Sequence, residues 1–180
     1  MTELRTERLV LRPPRLEDAG AFVALYTDPV AMKFIGGVHP DAALDPEWPV
    51  RIWLERWQQN GLGPFVVERR EDGTVLGRAG LLVWDARTWN HGSFESAGEH
   101  AQPELGWAFI REHWGNGFAT EAARAVRDWA YREQRIDRLI SLIAPENVRS
   151  AGVAERLGAH PRETVTLFDT GSAVVWEHTR

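Results

Sequence analysis

The chain has 180 residues, 43% hydrophobic and 26% charged, with a net charge of −5. That length suits one domain with a substantial core, and the acidic balance argues against a general nucleic-acid binder, which needs a basic face. No apolar run approaches the roughly 20 residues that cross a bilayer, the N-terminus lacks the apolar core of a signal peptide, and cysteine is absent. Disulfides and thiolate metal sites are thereby excluded, no membrane partner is expected, and a cytoplasmic location follows as the default.

Leu9-Val10-Leu11 predicts a first strand, stopped by Pro13-Pro14. A helix is expected from about Glu17, with Ala19, Phe22, Val23 and Tyr26 on one face. A second helix spans roughly residues 47–60, where Val50, Trp53, Leu54 and Trp57 recur at helical spacing before Gly61. Residues 65–68 and 75–84 read as a hairpin around Asp72-Gly73. Residues 85–102 are polar, aperiodic and longer than the ~12 residues usual for a loop, so they read either as a functional loop or as a surface insertion. An aromatic-rich strand over 104–110 follows, then a glycine-bearing loop, then a helix with Ala119, Ala122, Ala123 and Val126 at i, i+3, i+4, i+7. Residues 139–144 form another strand and 147–157 a helix closed by Gly158. Residues 164–168 and 173–176 pair around Thr170-Gly171-Ser172. This order predicts a mixed α/β sheet in a single domain over residues 1–180.

Gly115 and Gly117 stand where the strand turns into the helix. Glycine tolerates positive φ and leaves neighbouring N–H groups bare. With the donors and dipole of the helix start, the loop is a candidate phosphate cradle, the alternative being an ordinary turn that carries two glycines. The dinucleotide fingerprint fails because Thr120 occupies its third glycine position, and a P-loop fails because Phe118-Ala119 stands where Lys-Ser/Thr is needed.

Trp114-Gly115-Asn116-Gly117-Phe118-Ala119 resembles the acetyl-CoA motif of the GNAT N-acetyltransferases, Q/R-x-x-G-x-G/A, with Trp in the first position. The W-G-x-G-x-A-T-E-A form of that segment resembles the branch of the RimJ and RimL ribosomal-protein alanine acetyltransferases. So do the opening L-R-T-E-R-L-V-L-R-P with E-D-A, and P-E-N followed by Ser150 and E-R-L-G. Together these matches cover essentially the whole chain. The resemblance implies the GNAT acyltransferase fold, a central and mostly antiparallel sheet with flanking helices and a C-terminal hairpin. It also implies acetyl-CoA as the acetyl donor, held by residues from Trp114 to Thr120. The backbone of Phe109 and Ile110 would pair with the pantetheine arm and face the thioester carbonyl.

Amine acetylation needs a neutral amine and a stabilised leaving thiolate. Glu104, early on the strand beside the loop, is the general-base candidate, against a reading as a solvated or salt-bridged strand-end glutamate. Glu121 is the weaker choice, since a first-turn acid complements the helix dipole. Many family members use a tyrosine on the helix after the fifth strand as general acid, and Ala154 stands there. Ser150 matches the RimL-type serine and can donate a hydrogen bond to a thiolate, or it caps its helix. Asn147 is the better-placed cap and can also reach the pantetheine amide. RimL-type enzymes carry a base glutamate beyond this helix, where Arg162 aligns, with Glu163 beside it.

The six histidines show no ligand-like spacing, so no metal is expected. Among nine tryptophans, Trp53 and Trp57 read as core, and Trp48, Trp84 and Trp89 either line an acceptor cleft or are simply buried. Without cysteine for an acyl-enzyme, direct attack in a ternary complex is expected, in a monomer or homodimer. The acceptor is read as a cationic amine, drawn by Asp41, Asp45, Glu47, Asp85, Glu95 and Glu99. It is either a peptide N-terminus, whose α-amine (pKa about 8) loses its proton more easily than lysine, or a small molecule such as an aminoglycoside, polyamine or amino acid. The reading outside catalysis is an acyl-CoA-binding regulatory domain.

Overall fold

The computed structural model describes residues 2–39, 43–167 and 171–180. Met1, Pro40, Asp41, Ala42, Phe168, Asp169 and Thr170 lie outside the described residues, and with them part of the expected C-terminal turn. Among the described residues nine strands form one sheet: β1 (Leu4–Arg5), β2 (Leu9–Arg12), β3 (Pro64–Arg69), β4 (Val75–Asp85), β5 (Asn90–His91), β6 (Ala101–Phe109), β7 (Leu139–Ile143), β8 (His160–Leu167) and β9 (Gly171–His178). The order is β1-β2-β3-β4-β6-β7-β9-β8, with β5 beside β4. Its helices are α1 (Ala19–Tyr26), α2 (Pro29–Met32), α3 (Trp48–Asn60), α4 (Phe94–Ala97), α5 (Phe118–Arg132) and α6 (Val148–Arg156).

The sheet is covered on both faces, β3 and β6 being buried at successive positions and not alternate ones. On one face Phe65, Val67, Leu81 and Leu105 meet Ala122, Ala123, Val126 and Trp129 of α5. Small residues on α5 let it lie close to the strands. On the other face Val66 and Ala108 meet Phe22 of α1, Met32 of α2 and Trp53 of α3, the Phe22 and Trp53 rings packing edge-on at 4.7 Å. Arg12 of β2 ties this layer together, its guanidinium bonding both oxygens of buried Asp18 (2.6 and 2.8 Å) and Glu68 of β3.

The expected elements appear with small shifts, α1 being preceded by a 3-10 turn over Leu16–Asp18. Two short elements, β1 and α2, had no periodic signal. The segment 85–102 is corrected. It is neither a loose insertion nor a plain loop, since it holds β5, α4 and a 3-10 turn over Gly98–His100. Pairing explains the order. β3 covers β4 only as far as Gly80, leaving the edge beyond open, and β5 pairs there with Trp84 and Asp85. Ser93 and Ser96 then cap α4 reciprocally, and Ala97 is buried.

The feature that places the site is the β6–β7 junction. These strands run parallel in an otherwise antiparallel sheet, and they share a single register pair, Glu104↔Ile140. Beyond it they diverge. Ser141 Oγ donates to the Leu105 carbonyl (2.6 Å) and contacts His178 Nε2 at 2.9 Å. Because the hydroxyl proton serves Leu105, the histidine bonds as the Nε2–H tautomer, leaving Nδ1 buried without a partner among the described residues.

Burial holds the His178 imidazole neutral, with its pKa lowered to about 4. Above pH ~6.5 it is neutral in folded and unfolded chains alike. As pH falls from there to about 4, the unfolded chain takes up a proton that the native state refuses, so stability drops. Over that window the wild type is expected to lose about 3 kcal/mol relative to His178→Gln in urea unfolding. Parallel curves for the two proteins would clear His178 of this role.

Candidate active site

Hydrogen bonding across β4 and β6 fixes which backbone groups are free for a ligand. In an antiparallel pair the bonds of successive residues alternate from side to side. Ile110 donates its N–H to the Leu76 carbonyl at 2.9 Å. Phe109 and Trp107, one and three residues earlier, therefore turn their backbone groups to the other side, into the opening between β6 and β7. The Phe109 carbonyl accordingly accepts the Trp114 indole N–H at 2.7 Å. This corrects the expectation for Ile110, whose N–H is already committed, and brings in Trp107, which sequence reasoning missed. The signal was available in the one-residue phase of the strand, but only once its antiparallel partner was known.

A cleft of about 1090 Å³ fills the opening, walled by the end of β6, the 113–120 loop and α6. Phe109, Trp114, Gly115, Gly117, Phe118, Ala119 and Thr120 line it, as do Asn147 and Ser150. Asn116 does not. Its side chain folds back to donate to the carbonyls of His113 and Trp114, which stiffens the loop from outside. Gly117 has φ +80, a conformation that L side chains rarely adopt, and no side chain caps the helix it starts. The first-turn N–H groups of α5 are thus left for a ligand. Arg8 holds the loop from behind, bonding the Asn116 carbonyl (3.0 Å) while Glu121 grips its guanidinium at 2.7 Å. Glu121 is spent on Arg8 and Thr6 and lines neither cavity.

The cleft is cationic in an acidic protein. Lys33, Arg149 and Arg156 line it against one acid, Glu146. Arg149 lies over the Trp114 ring at 4.7 Å, and Arg156 reaches Thr120 Oγ1 at 3.4 Å. Trp114 therefore replaces the motif's Gln or Arg with a packed indole that anchors the loop to β6 and seats an arginine from α6.

A second, smaller chamber of about 160 Å³ adjoins the cleft, and Trp107, Asn147 and Ser150 belong to the walls of both. Glu104 lies in this chamber, 7% exposed, with the Trp84 indole N–H donating to Oε2 at 3.1 Å. Burial raises its pKa above the ordinary carboxylate value. The Trp84 bond, the charge of Arg78 and the Leu142 N–H oppose that rise without cancelling it. Gly106 makes the space, since a Cβ there would stand 3.3 Å from Glu104 Oε1. Asn147 caps α6, accepting the Ser150 N–H at 3.2 Å. The capping duty expected as the alternative for Ser150 is thus performed by Asn147, and Ser150 stands at the junction of the two cavities.

The acids proposed to attract a cationic acceptor are not gathered there. Asp45 and Glu47 pair with Arg51, Asp85 pairs with Arg87 and Glu99 with His100. None of these, nor Glu95, lines either cavity, and Asp41 lies outside the described residues. Of the three tryptophans assigned to a cleft or to burial, Trp84 lines the chamber, Trp48 stacks on His39, and Trp89 packs beside Leu167 and Ala173. Among the described residues no group of three or more His, Cys, Asp or Glu side chains could hold a metal ion. No helix among them is long and apolar enough to cross a membrane.

Residues 8–160 match the model of the acetyltransferase (GNAT) domain family. The chain is 31% identical over 175 residues to the uncharacterized protein YkkB of Bacillus subtilis, covering 96% of this chain and 94% of that one. An acetyltransferase structure from Agrobacterium tumefaciens superposes with a TM-score of 0.80 at 31% identity, over 100% of this chain and 95% of its own. The aminoglycoside acetyltransferase AAC(6')-Ib, solved with ribostamycin and coenzyme A, shares the fold at 20% identity. That match has a TM-score of 0.74 over 97% of this chain and 94% of the other. With its divergent parallel strands, glycine loop and uncapped helix start in place, the chain belongs to the GNAT family of acetyltransferases.

Proposed function

We propose that the protein moves an acetyl group from acetyl-CoA to a primary amine by direct attack within a ternary complex. The observation that carries this reading is the meeting of the cationic cleft and the Glu104 chamber at Trp107, Asn147 and Ser150. The cleft suits the donor. The bare amides at the start of α5 and the cations Arg149 and Arg156 fit its phosphates, and a Cβ at Gly117 would strain the loop. Acetyl-CoA supplies an activated acetyl thioester. The Trp107 and Phe109 amides, facing the opening, stabilise negative charge as it develops on the carbonyl oxygen.

Glu104 serves as general base. Its raised pKa keeps it closer to neutral pH than an exposed glutamate, which suits removal of an ammonium proton. Ser150 hydrogen-bonds the departing sulfur and relays a proton to it. No other residue of α6 carries a hydroxyl, and Ala154 stands where other family members place a tyrosine. The RimJ/RimL-type motifs support an α-amine as acceptor, since it needs less help to deprotonate than lysine. A second reading, a free small-molecule amine, is favoured by the size of the chamber. At about 160 Å³ it is below the ~300 Å³ at which drug-sized pockets begin, and it admits a head group of amino-acid size.

Acetyl-CoA at one hundred times its Kd is expected to stabilise the protein by about 2.7 kcal/mol. Gly117→Val should lose that gain in a thermal-shift assay. No shift in the wild type would remove the donor assignment. Ser150→Ala is expected to cut kcat by about 10²- to 10⁴-fold while sparing acetyl-CoA binding. Weakened donor binding with normal kcat would mean that Ser150 serves the structure.

Glu104 gives a stability test with a definite sign. Below its ordinary pKa of 4.5 the carboxyl is protonated in both states. As pH rises past 4.5, the unfolded chain ionises while the buried group resists, so the native state loses stability until its own raised pKa is passed. Glu104→Gln is therefore expected to gain stability relative to wild type between pH 4.5 and neutrality, while turnover falls. A relative loss of stability instead, in denaturant titrations across that range, would mark a structural glutamate.

A further inference from the structure

The small chamber contains a cation that the acetyl-transfer steps do not use. Arg78 of β4 pairs with Ala108, and Leu82 of the same strand with Glu104, which puts Arg78 and Glu104 on one face of the sheet. Both line the chamber, and among the described residues they are its only fully charged lining residues, standing among Phe34, Leu82 and Trp84. The Arg78 guanidinium lies 5.8 Å from the centre of the Trp53 ring. Its Nε is buried with no hydrogen-bond partner, and no carboxylate is within ion-pair distance of it among the described residues. Its charge is felt by Glu104, though without contact.

A buried guanidinium N–H without an acceptor is costly, and proteins seldom leave one so unless a ligand completes it. We propose that Arg78 binds a carboxylate of the acceptor, so that the substrate is a small amine bearing its own carboxylate, of amino-acid size. This rests on the acetyltransferase reading above and refines its second form. The pairing is complementary. Such a zwitterion presents its ammonium to Glu104 and its carboxylate to Arg78, whereas a plain cationic amine brings a second positive charge beside a guanidinium that cannot deprotonate. Arg78 exchanges no proton. It binds and orients, and the acyl-transfer chemistry stays with the groups described above.

The experiment measures thiol release from acetyl-CoA with matched acceptors: free α-, β- and γ-amino acids, the corresponding amides, the decarboxylated amines, and a peptide N-terminus. It is run with wild type, Arg78→Met, which keeps an apolar stem over Trp53, and Arg78→Lys. A charge-assisted hydrogen bond predicts that the wild type favours the carboxylate-bearing member by roughly 10- to 100-fold in kcat/KM. Arg78→Met should erase that preference by raising KM for the amino acid and not for the amide, while the acetyl-CoA thermal shift stays unchanged and kcat moves by a common factor for both acceptors, because the Arg78 charge also acts on Glu104; Arg78→Lys should restore part of the preference. Equal use of acid and amide by the wild type would overturn the proposal. So would an equal loss for both in Arg78→Met, or turnover confined to amines without a carboxylate, peptide N-termini included. In those cases acetyl-CoA binding and turnover with other amines would leave the acetyltransferase reading standing. With no acetyl-CoA shift and no thiol released from any amine, both readings fall together.

Discussion

Past Glu104↔Ile140, a regular parallel ladder would continue by giving the Leu142 N–H to the Leu105 carbonyl. Side chains stand opposite both partners. The Leu142 N–H faces the Glu104 carboxylate and favours its ionised form, and the Ser141 hydroxyl donates to the Leu105 carbonyl, with His178 behind it. The strands are thus parted while the Leu105 carbonyl keeps a donor, whose loss would cost about 1–3 kcal/mol. The candidate site lies downstream of that substitution. The opening accommodates the cleft, turns the Trp107 and Phe109 amides toward it, and lets α6 approach β6 closely enough for Ser150 to face both cavities.

Charge is distributed against the grain of the composition. A chain of net charge −5 concentrates Lys33, Arg149 and Arg156 on the donor cleft and spends its acids elsewhere, on Arg12, Arg51, Arg69 and Arg87. Exposed pairs of that kind add little stability individually. What they do is neutralise acids that would otherwise lower the cleft's attraction for phosphates. The Arg12 network differs because it is largely buried, and it fixes β2 and the 3-10 turn before α1 to β3.

The strand, loop and helix around Gly117 were legible in sequence because three local signals agreed: an apolar strand, two glycines and a helix with small residues on one face. The helices 48–60 and 148–156 were legible for the same reason, each with its periodicity and a glycine just beyond. What sequence could not show was pairing. β5 forms because β3 stops short of the end of β4, and no property of residues 85–102 announces that. That the Ile110 N–H is taken by Leu76 across the sheet was a matter of register, which the pattern of one strand does not show. Arg78 was passed over because one charged residue in a strand usually marks a solvated face. The acids at 45, 47 and 85 misled in the opposite sense, since composition counts charges without showing that arginines already hold them.

Glu104 belongs both to the wedge that opens the sheet and to the chamber where an amine would lose its proton, and this explains its cost. A carboxylate that only held Leu142 would gain nothing from burial, and an exposed base would lack the raised pKa that matches it to an ammonium. Placing one group in both roles couples them. The backbone N–H that keeps the strands apart also favours the ionised form of the carboxylate, while burial opposes it. Burial raises its pKa, the Trp84 indole, the Arg78 charge and, last, the Leu142 N–H lower it, and Gly106 leaves room for the carboxylate among them. Glu104 thus stands both at the junction of β6 and β7 and in the chamber proposed for the chemistry, so a substitution there acts on both, whereas Trp84 and Arg78 act on its basicity from β4.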